Sequence, residues 1–301
     1  MNILKGNTTW VDMVRPTEKD LAWLKTNFKL HPIIIDELRG PSARARVEAH
    51  KNCLYFIYYF PIYDSHEQVS KRSEIDFLIT KGAVITVRYE ENEVFTHLRK
   101  TLRSSSRALE DSLRLIHKLL VSLLEFQERQ LAHIREKADA VSGELFKERE
   151  REREKTLLEK ISYLKRDISQ YRLIVRPQRQ ILDSFARVGC EFLGANCSIY
   201  MNDLIGEHIK ILDQLEDYRQ AVEDFEDTNI QLINVKNAQV VKTFTILAFL
   251  TFPMMLFAAI FSMNTINTPI VGQPGDFWIL FGIMVIAMVG MYKYFRDQDW
   301  L

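Results

Sequence analysis

The sequence predicts an α+β/α membrane protein, with an N-terminal α/β domain, a long stalk helix and two transmembrane helices. Three observations support this fold class. Charged residues make up 27% of the 301 residues, yet they are dense up to about Lys242 and nearly absent after it. Strand-like and helix-like segments alternate in the first hundred residues. Finally, Glu207–Phe252 contains neither Gly nor Pro, which favours one uninterrupted helix.

The first segment, residues 1–100, reads as a layered α/β domain. Thr17 precedes a segment, ending near Phe28, in which apolar residues recur at helical spacing, and this predicts a capped helix. HPIIIDEL predicts a second helix. Lys81-Gly82 between two apolar runs indicates a tight hairpin. The N-terminus lacks the apolar core of a signal peptide, so we expect this domain on the cytoplasmic side. β-branched and aromatic runs predict strands over Thr8–Val14, Cys53–Tyr63, Glu74–Thr80 and Ala83–Tyr89.

Residues 101–195 are predicted to be helical, and residues 196–243 form the stalk helix. The alternating charges of Lys147–Glu154 indicate a solvated helix face, and a charged arm that senses ions or partners is the alternative. The stalk would be roughly 70 Å long and needs a partner along its length, most simply copies of itself. Heptad steps from Asp227 to Met255 pass from acidic through amide to apolar side chains. This stripe fits a coiled coil and a pore axis equally well.

Two apolar segments near the C-terminus predict a membrane hairpin. Residues 244–263 carry no charge and would span about 30 Å as a helix, although Pro253 should kink it. Residues 277–295 form the second span, and residues 264–276 form a short outer loop without Lys or Arg. Basic residues flank both spans on the other side, at Lys236, Lys242, Lys293 and Arg296. The positive-inside rule therefore places both termini, including the tail 296–301, in the cytoplasm of a multi-pass plasma (inner) membrane protein.

Several function classes are disfavoured by composition and motif. Zero net charge gives no basic field for nucleic acid. Gly-rich phosphate loops, GxSxG and HExxH are missing from the sequence, so we expect no enzyme. Three cysteines, Cys53, Cys190 and Cys197, give no paired spacing, which predicts isolated thiols in a reducing cytosol.

The order of these parts resembles the CorA-type divalent-cation transporters over nearly the whole chain. The resemblance is carried by HPIIIDELRGPSARARVEAHKNCLYFIYYFP, EIDFLITKGAVITVRYEE, NVKNAQVVKTFTILAFLTFPMMLFAAIFSMN and YKYFRDQDWL. One position departs from the family's pattern: the Gly-Met-Asn signature is Ser262-Met263-Asn264 here. Serine carries a Cβ, so it could alter the loop geometry, narrow the mouth or add a hydroxyl ligand.

The resemblance implies a homopentameric funnel that conducts Mg²⁺, and with it Co²⁺ or Ni²⁺, under cytoplasmic Mg²⁺ control. Its partners would be divalent cations, membrane lipid and further copies of the chain, and not nucleic acid. The ion filter would be Asn264 with Met263 and Ser262. The regulatory Mg²⁺ would bind at Asp203 between subunits. The pore would be lined by Met255, Phe252, Val241, Ala238 and Asp227.

Other interpretations of the same residues stay open at this point. Asn264 suits a helix C-terminal cap, Phe252 and Met255 suit lipid contact, and Asp203 and Asp227 suit solvated surface positions. At the level of function, the alternatives are a Zn²⁺ or other transition-metal transporter, a non-conducting membrane-anchored Mg²⁺ sensor or scaffold, and a tail-anchored α/β enzyme.

Overall fold

A computed structural model describes residues 1–104, 109–145, 151–194, 196–263, 270–272 and 274–298. The chain divides into two compact units, Met1–Glu226 and Asp227–Leu301. The strands are β1 Asn2–Leu4, β2 Thr9–Val14, β3 Val47–Ala49, β4 Leu54–Asp64, β5 Val69–Ile79 and β6 Ala83–Arg88. The helices are α1 Glu18–Phe28, α2 Pro32–Glu37, α3 Glu93–Ser104, α4 Ser112–Gln130, α5 Ala132–Leu145, α6 Arg151–Val175, α7 Gln178–Ser184, α8 Cys190–Leu193, α9 Cys197–Phe261 and α10 Asp276–Asp297, with a π-helical turn at Phe185–Gly189.

The first unit is built on one sheet with the strand order β1-β2-β6-β5-β4-β3. Only the β2–β6 pair is parallel among the described pairs. Side chains alternate between the two faces of a strand, and both faces of this sheet are covered. Leu54, Phe56 and Tyr58 of β4 pack into the core shared with α3 to α6, whereas Tyr55 and Ile57 pack into the core shared with α1 and α2. This double burial explains why the β4 sequence is apolar without alternation.

Most of the predicted local structure is confirmed. Thr17 caps α1 through a capping box, because its hydroxyl accepts from the Asp20 N–H while the Asp20 carboxylate accepts from the Thr17 N–H. The turn at Lys81-Gly82 joins β5 to β6 as an antiparallel hairpin. β5 begins at Val69, five residues before the predicted strand, because its polar first half pairs with the end of β4. The run Lys147–Glu154 lies partly outside the described residues.

The prediction of isolated thiols was wrong for two of the three cysteines. Cys190 and Cys197 form a disulfide, with their Cα atoms 5.1 Å apart. Gly194 follows α8 with a φ of 101°, a conformation that glycine adopts without a Cβ clash, and turns the chain back so that the two cysteines meet. Cys53 is a free thiol, and burial raises its pKa to about 11.

α9 has the extent expected from the predicted stalk helix, residues 196–243, and the first predicted span, residues 244–263, taken together. It has 65 residues and continues through Gly206 and Pro253, the two residues that bound the run without Gly or Pro. Pro253 has no N–H to donate to the Phe249 carbonyl four residues earlier, so the helix loses one backbone bond there. The nearby Thr251 hydroxyl donates to the Leu247 carbonyl at 2.9 Å.

Among the described residues, two helices are long and apolar enough to cross a membrane: α9, through its C-terminal part, and α10. Only 11% of the apolar window of α9 and 0% of that of α10 is buried in the structure. A core helix of a soluble protein would have most of such a window covered. Exposure therefore favours lipid as the surrounding of both segments.

Candidate functional site

The five predicted pore-lining residues share one face of α9. At 100° per residue they fall within an arc of about 100° around the helix axis. Their side chains are exposed in the single chain, with Val241 at 63%, Phe252 at 62% and Met255 at 66%. Asp227 and Ala238 continue the same exposed face towards the N-terminus. The stripe thus runs from a carboxylate to large apolar groups.

The opposite side of α9 is where its membrane segment is covered. Ile246 and Met254 are 5% and 9% exposed, and both lie across the helix from the stripe. Beside the stripe, Phe249 is 58% exposed and contacts Phe295 of α10, with ring centroids 6.3 Å apart. The membrane segment of α9 therefore has one covered side and one open side, and the predicted pore residues all lie on the open side.

The signature sequence begins where α9 ends. The Ser262 N–H donates to the Ala258 carbonyl at 3.0 Å, and its hydroxyl donates to the Ala259 carbonyl, also at 3.0 Å. The hydroxyl thus satisfies one of the carbonyls that a helix end leaves unpaired. Met263 is 60% exposed, and Asn264 lies outside the described residues.

The backbone at Ser262 also bears on the missing glycine. Among the described residues, positive φ outside glycine occurs at four positions, and Ser262 is not one of them. The structure therefore does not require the left-handed conformation that would favour glycine at this place. In the segment that leads into α10, the Asp276 carboxylate accepts from the N–H groups of Gly272 and Phe277 at 3.1 and 2.7 Å.

Asp203, the predicted regulatory residue, lies on α9 in the first unit and has a side chain that is 58% exposed. Its Oδ2 is 2.9 Å from Nε2 of His117, which projects from α4. The Tyr200 ring packs edge-on against the His117 ring at 4.9 Å and fixes its position. Sequence reasoning missed His117, since the 86 residues between it and Asp203 carry no spacing signal.

No group of three or more His, Cys, Asp or Glu converges on one point in the part of the chain that the structure describes. Asp203 has a histidine beside it and no second carboxylate within ion-pair distance there. A hard cation such as Mg²⁺ takes six oxygen ligands, several of them water. A regulatory site at Asp203 would therefore need an oxygen donor from another copy of the chain.

Residues 5–296 match the family model described as "CorA-like Mg2+ transporter protein". The chain belongs to this family. Among its CorA relatives, the cobalt/magnesium transport protein CorA of Thermotoga maritima is 22% identical over 296 residues, covering 97% of this chain and 83% of the relative. A putative metal ion transporter of Bacillus subtilis is 20% identical over 291 residues, covering 97% of this chain and 89% of that protein.

The fold of this chain also matches that of solved CorA structures. The complete structure of the CorA magnesium transporter from Methanocaldococcus jannaschii superposes with a TM-score of 0.84 at 18% identity, covering 98% of this chain and 92% of that one. The α/β domain, the long helix and the two candidate membrane helices are therefore the architecture of a full-length CorA protein. The family is one of transporters and not a class of enzymes.

Proposed function

We propose that this protein is a channel-like transporter that admits Mg²⁺, and with it Co²⁺ or Ni²⁺, across the plasma membrane. The observation that carries the proposal is the match to the CorA-like Mg²⁺ transporter family over residues 5–296. The names of relatives support the ion class, since the Thermotoga maritima protein is called a cobalt/magnesium transport protein. Conduction needs no hydrolysis, because the membrane potential drives cations inward.

The pathway would form when five copies bring their α9 stripes together around one axis. A single helix cannot enclose a pore, and its open face carries Val241, Phe252 and Met255, which as rings would form apolar constrictions that gate by dewetting. Asp227 would form a ring of carboxylates at the cytoplasmic end and raise the local cation concentration. Ala238 would line the wider part between them.

The outer mouth would be the ion filter. Mg²⁺ gives up its water reluctantly, so a ring of Asn264 side-chain carbonyls would hold the hydrated ion rather than strip it. Met263 would surround this ring, and Ser262 would end the helix below it through the bond to the Ala259 carbonyl. Both chain termini would lie in the cytoplasm, so the filter faces outward.

Asp203 would provide the regulatory site. An intracellular Mg²⁺ bound between Asp203 and an oxygen donor of a neighbouring copy would join the two subunits. If the closed state binds this ion better, a fall in cytoplasmic Mg²⁺ shifts the population towards the open state. The exposure of the Asp203 carboxylate and its orientation by His117 support this role.

Ion flux into proteoliposomes that contain the full chain tests the transport proposal. We expect uptake of Mg²⁺, Co²⁺ and Ni²⁺, and its loss in Asn264→Ala, because alanine removes the carbonyl that holds the hydrated ion. Ser262→Gly is the companion variant, for which we expect equal or higher Mg²⁺ flux, since the serine backbone is unstrained and the change removes only its Cβ and hydroxyl.

Three outcomes would contradict this function. Unchanged Mg²⁺ uptake in Asn264→Ala would remove the filter assignment. Uptake of Zn²⁺ alone would assign the protein to transition-metal transport by the same fold. No flux of any ion by an intact oligomer would leave a membrane-anchored sensor or scaffold.

Limited proteolysis of the full chain with and without Mg²⁺ tests the regulatory site. We expect Mg²⁺ to protect the wild type against trypsin and to protect Asp203→Asn much less, because the amide carries no charge to bind the cation. His117→Gln is the matched control: it breaks the bond to Asp203 but leaves the carboxylate, so most of the protection should remain. Full protection of Asp203→Asn would reduce Asp203 to a surface partner of His117.

A further inference from the structure

One cleft of the first unit lies away from all the residues assigned above. It has a volume of about 1010 Å³ and lies between the turn that joins β4 to β5 and the helix α6. Sites for small molecules and cofactors commonly have volumes of about 300–1,000 Å³. The cleft is therefore large enough for a ligand of the size of a nucleotide.

The β4–β5 turn that forms one wall is fixed to the helices. Arg166 of α6 donates to the Glu67 carbonyl at 3.0 Å, and Lys137 of α5 donates to the Gln68 carbonyl at 3.3 Å. The backbone N–H of Ser70 donates to the buried carboxylate of Asp167 at 2.8 Å. Three bonds from two helices hold this wall, so the cleft is a built feature and not the gap beside a loose hairpin.

The charge that lines the cleft is predominantly positive. Lys71, Arg72 and Arg166 line it together with one acidic residue, Glu67. The Lys71 ammonium lies 2.7 Å from carboxylate oxygens of both Asp64 and Glu67, so these three side chains together carry one negative charge. The two guanidinium groups of Arg72 and Arg166 outweigh that charge and leave the cleft positive.

The two arginines are oriented but not paired. In the part of the chain that is described, neither guanidinium has a carboxylate within ion-pair distance. Arg72 lies over the Tyr59 ring at 4.5 Å, and Arg166 lies over the Tyr163 ring at 5.2 Å. Stacking on an aromatic ring leaves the edge of a guanidinium, which carries its N–H donors, free to meet an anion.

The cleft also has an exposed apolar surface beside the two arginines. Tyr163 and Leu173 both line it, with 46% and 68% of their surfaces exposed. A large aliphatic side chain and a tyrosine edge at this exposure offer contact area to a planar ring. Gln170, also in the lining, adds an amide that can donate and accept.

We propose that this cleft binds a nucleoside phosphate, with its phosphate groups on Arg72 and Arg166 and its ring against Tyr163 and Leu173. Arg pairs with phosphate through two parallel N–H···O bonds, so two guanidinium groups can bind two neighbouring phosphates of a di- or triphosphate. An inorganic polyphosphate shares the anionic half of this chemistry but has no ring. The site uses none of the residues of the ion pathway, so it does not rest on the proposed transport function.

Equilibrium binding to the full chain in detergent tests the site, with ATP, tripolyphosphate and adenosine as probes. The buffer contains no divalent cation, because a probe that chelates a transported ion would add its own heat to the measured heat of binding. We expect saturable binding of ATP that weakens roughly tenfold or more in the Arg72→Gln, Arg166→Gln double variant. Arg176→Gln, an exposed arginine outside the cleft, is the matched control and should bind as the wild type does.

The probes separate the two sources of phosphate. Tighter binding of ATP than of tripolyphosphate, with the difference lost in Leu173→Ser, supports a nucleotide. If ATP and tripolyphosphate bind equally well and both depend on the arginines, the nucleotide proposal is overturned and the cleft is a site for inorganic polyphosphate. ATP binding that is unchanged in the double variant overturns the proposal. If that variant also loses its oligomeric state, the cleft is instead a contact between copies.

Discussion

At the residue scale, Asp167 shows how the first unit uses a buried charge. Its carboxylate is fully buried and accepts four hydrogen bonds, from the Ser70 N–H and hydroxyl, from His133 and from Lys137, at 2.8 to 2.9 Å. Tyr63 stacks on the His133 ring at 3.8 Å and lies under the Lys137 ammonium. A buried carboxylate is tolerated only when its lone pairs are satisfied in this way. Asp167 therefore joins β5 to α5 and α6.

Asp167→Asn should lower the stability of the first unit by about 3 kcal/mol. The amide keeps the shape of the carboxylate but loses its charge. Hydrogen bonds to charged groups contribute about 1.5–3 kcal/mol each, and the amide retains part of this contribution. Thermal unfolding of the full chain followed by circular dichroism measures the loss. Asp139→Asn, whose carboxylate is exposed, should unfold at the wild-type temperature.

The Asp167 carboxylate also predicts how the free energy of unfolding depends on pH under acidic conditions. Burial acts to raise the pKa of Asp167, but the bonds from His133 and Lys137 prevail and lower it below its ordinary value of 3.8. The native state thus binds fewer protons than the unfolded state near pH 4, so the contribution is complete above that pH and is lost as the pH falls through the native pKa. In Asp167→Asn the free energy of unfolding should fall less steeply as the pH is lowered. An unchanged pH dependence would contradict this assignment.

Long-range partners are what the sequence could not predict at this scale. Asp203 could be placed on α9 from its position in the chain, but His117, its partner, is 86 residues away. Cys190 and Cys197 are close in sequence, yet their pairing depends on the positive φ of Gly194 between them, which composition does not reveal. Periodicity reports which face a side chain occupies and not which distant side chain meets it.

At the element scale, patterns that repeat along one segment were predictable. The apolar strands β4 and β6 and the cap of α1 were found because burial and capping leave local signals. The first half of β5 was missed because its residues VSKRS read as a loop, although pairing with β4 makes them a strand. The extent of α9 was predicted to within two residues at each end, and Gly206 and Pro253 are both tolerated inside this long helix.

The face assignment of α9 predicts a pattern of chemical accessibility. Cysteine at Met255 should react with a positively charged, water-soluble methanethiosulfonate reagent, because this position lies on the stripe proposed to face the pore. Cysteine at Leu250, about 140° away around the helix, is the matched control and should stay unmodified in lipid or protein. Modification is measured as loss of Mg²⁺ flux and by mass spectrometry.

The native cysteines do not obscure this experiment. Cys53 is buried and burial raises its pKa to about 11, so little of the reactive thiolate is present at neutral pH. The other two are joined as a disulfide. Equal reactivity at positions 250 and 255 would mean that the stripe does not face water, and would return Phe252 and Met255 to lipid contact.

At the scale of the whole molecule, the uneven distribution of charge decides where each part of the chain lies. The soluble part carries nearly all the charge, and the two apolar helices are flanked by Lys236, Lys242, Lys293 and Arg296. The segment between them has no Lys or Arg. Because basic residues stay on the cytoplasmic side, an even number of spans returns the chain to the side from which it started.

This sidedness predicts which positions a membrane-impermeant maleimide can label in intact cells. Cysteine at Val271, which is 43% exposed between the two helices, should be labelled from outside. Cysteine at Lys5, an exposed residue near the N-terminus, should be labelled only after the cells are permeabilised. The reverse pattern, or labelling of both positions in intact cells, would contradict the proposed topology.

The proposed orientation sets the order in which an entering ion meets the residues of the pathway, whereas the membrane potential sets the direction of transport. Each elementary charge that moves across 100 mV changes the free energy by about 2.3 kcal/mol, so a divalent cation gains about twice that on entering a cell with a negative interior. A filter at the outer end would select the ion before the potential acts on it, and carboxylates of Asp227 at the inner end would lower the energy of the ion as it leaves. With the loop inside, the ion would meet the same residues in the opposite order. Labelling at positions 5 and 271, combined with the flux of Asn264→Ala, therefore tests the topology and the filter independently.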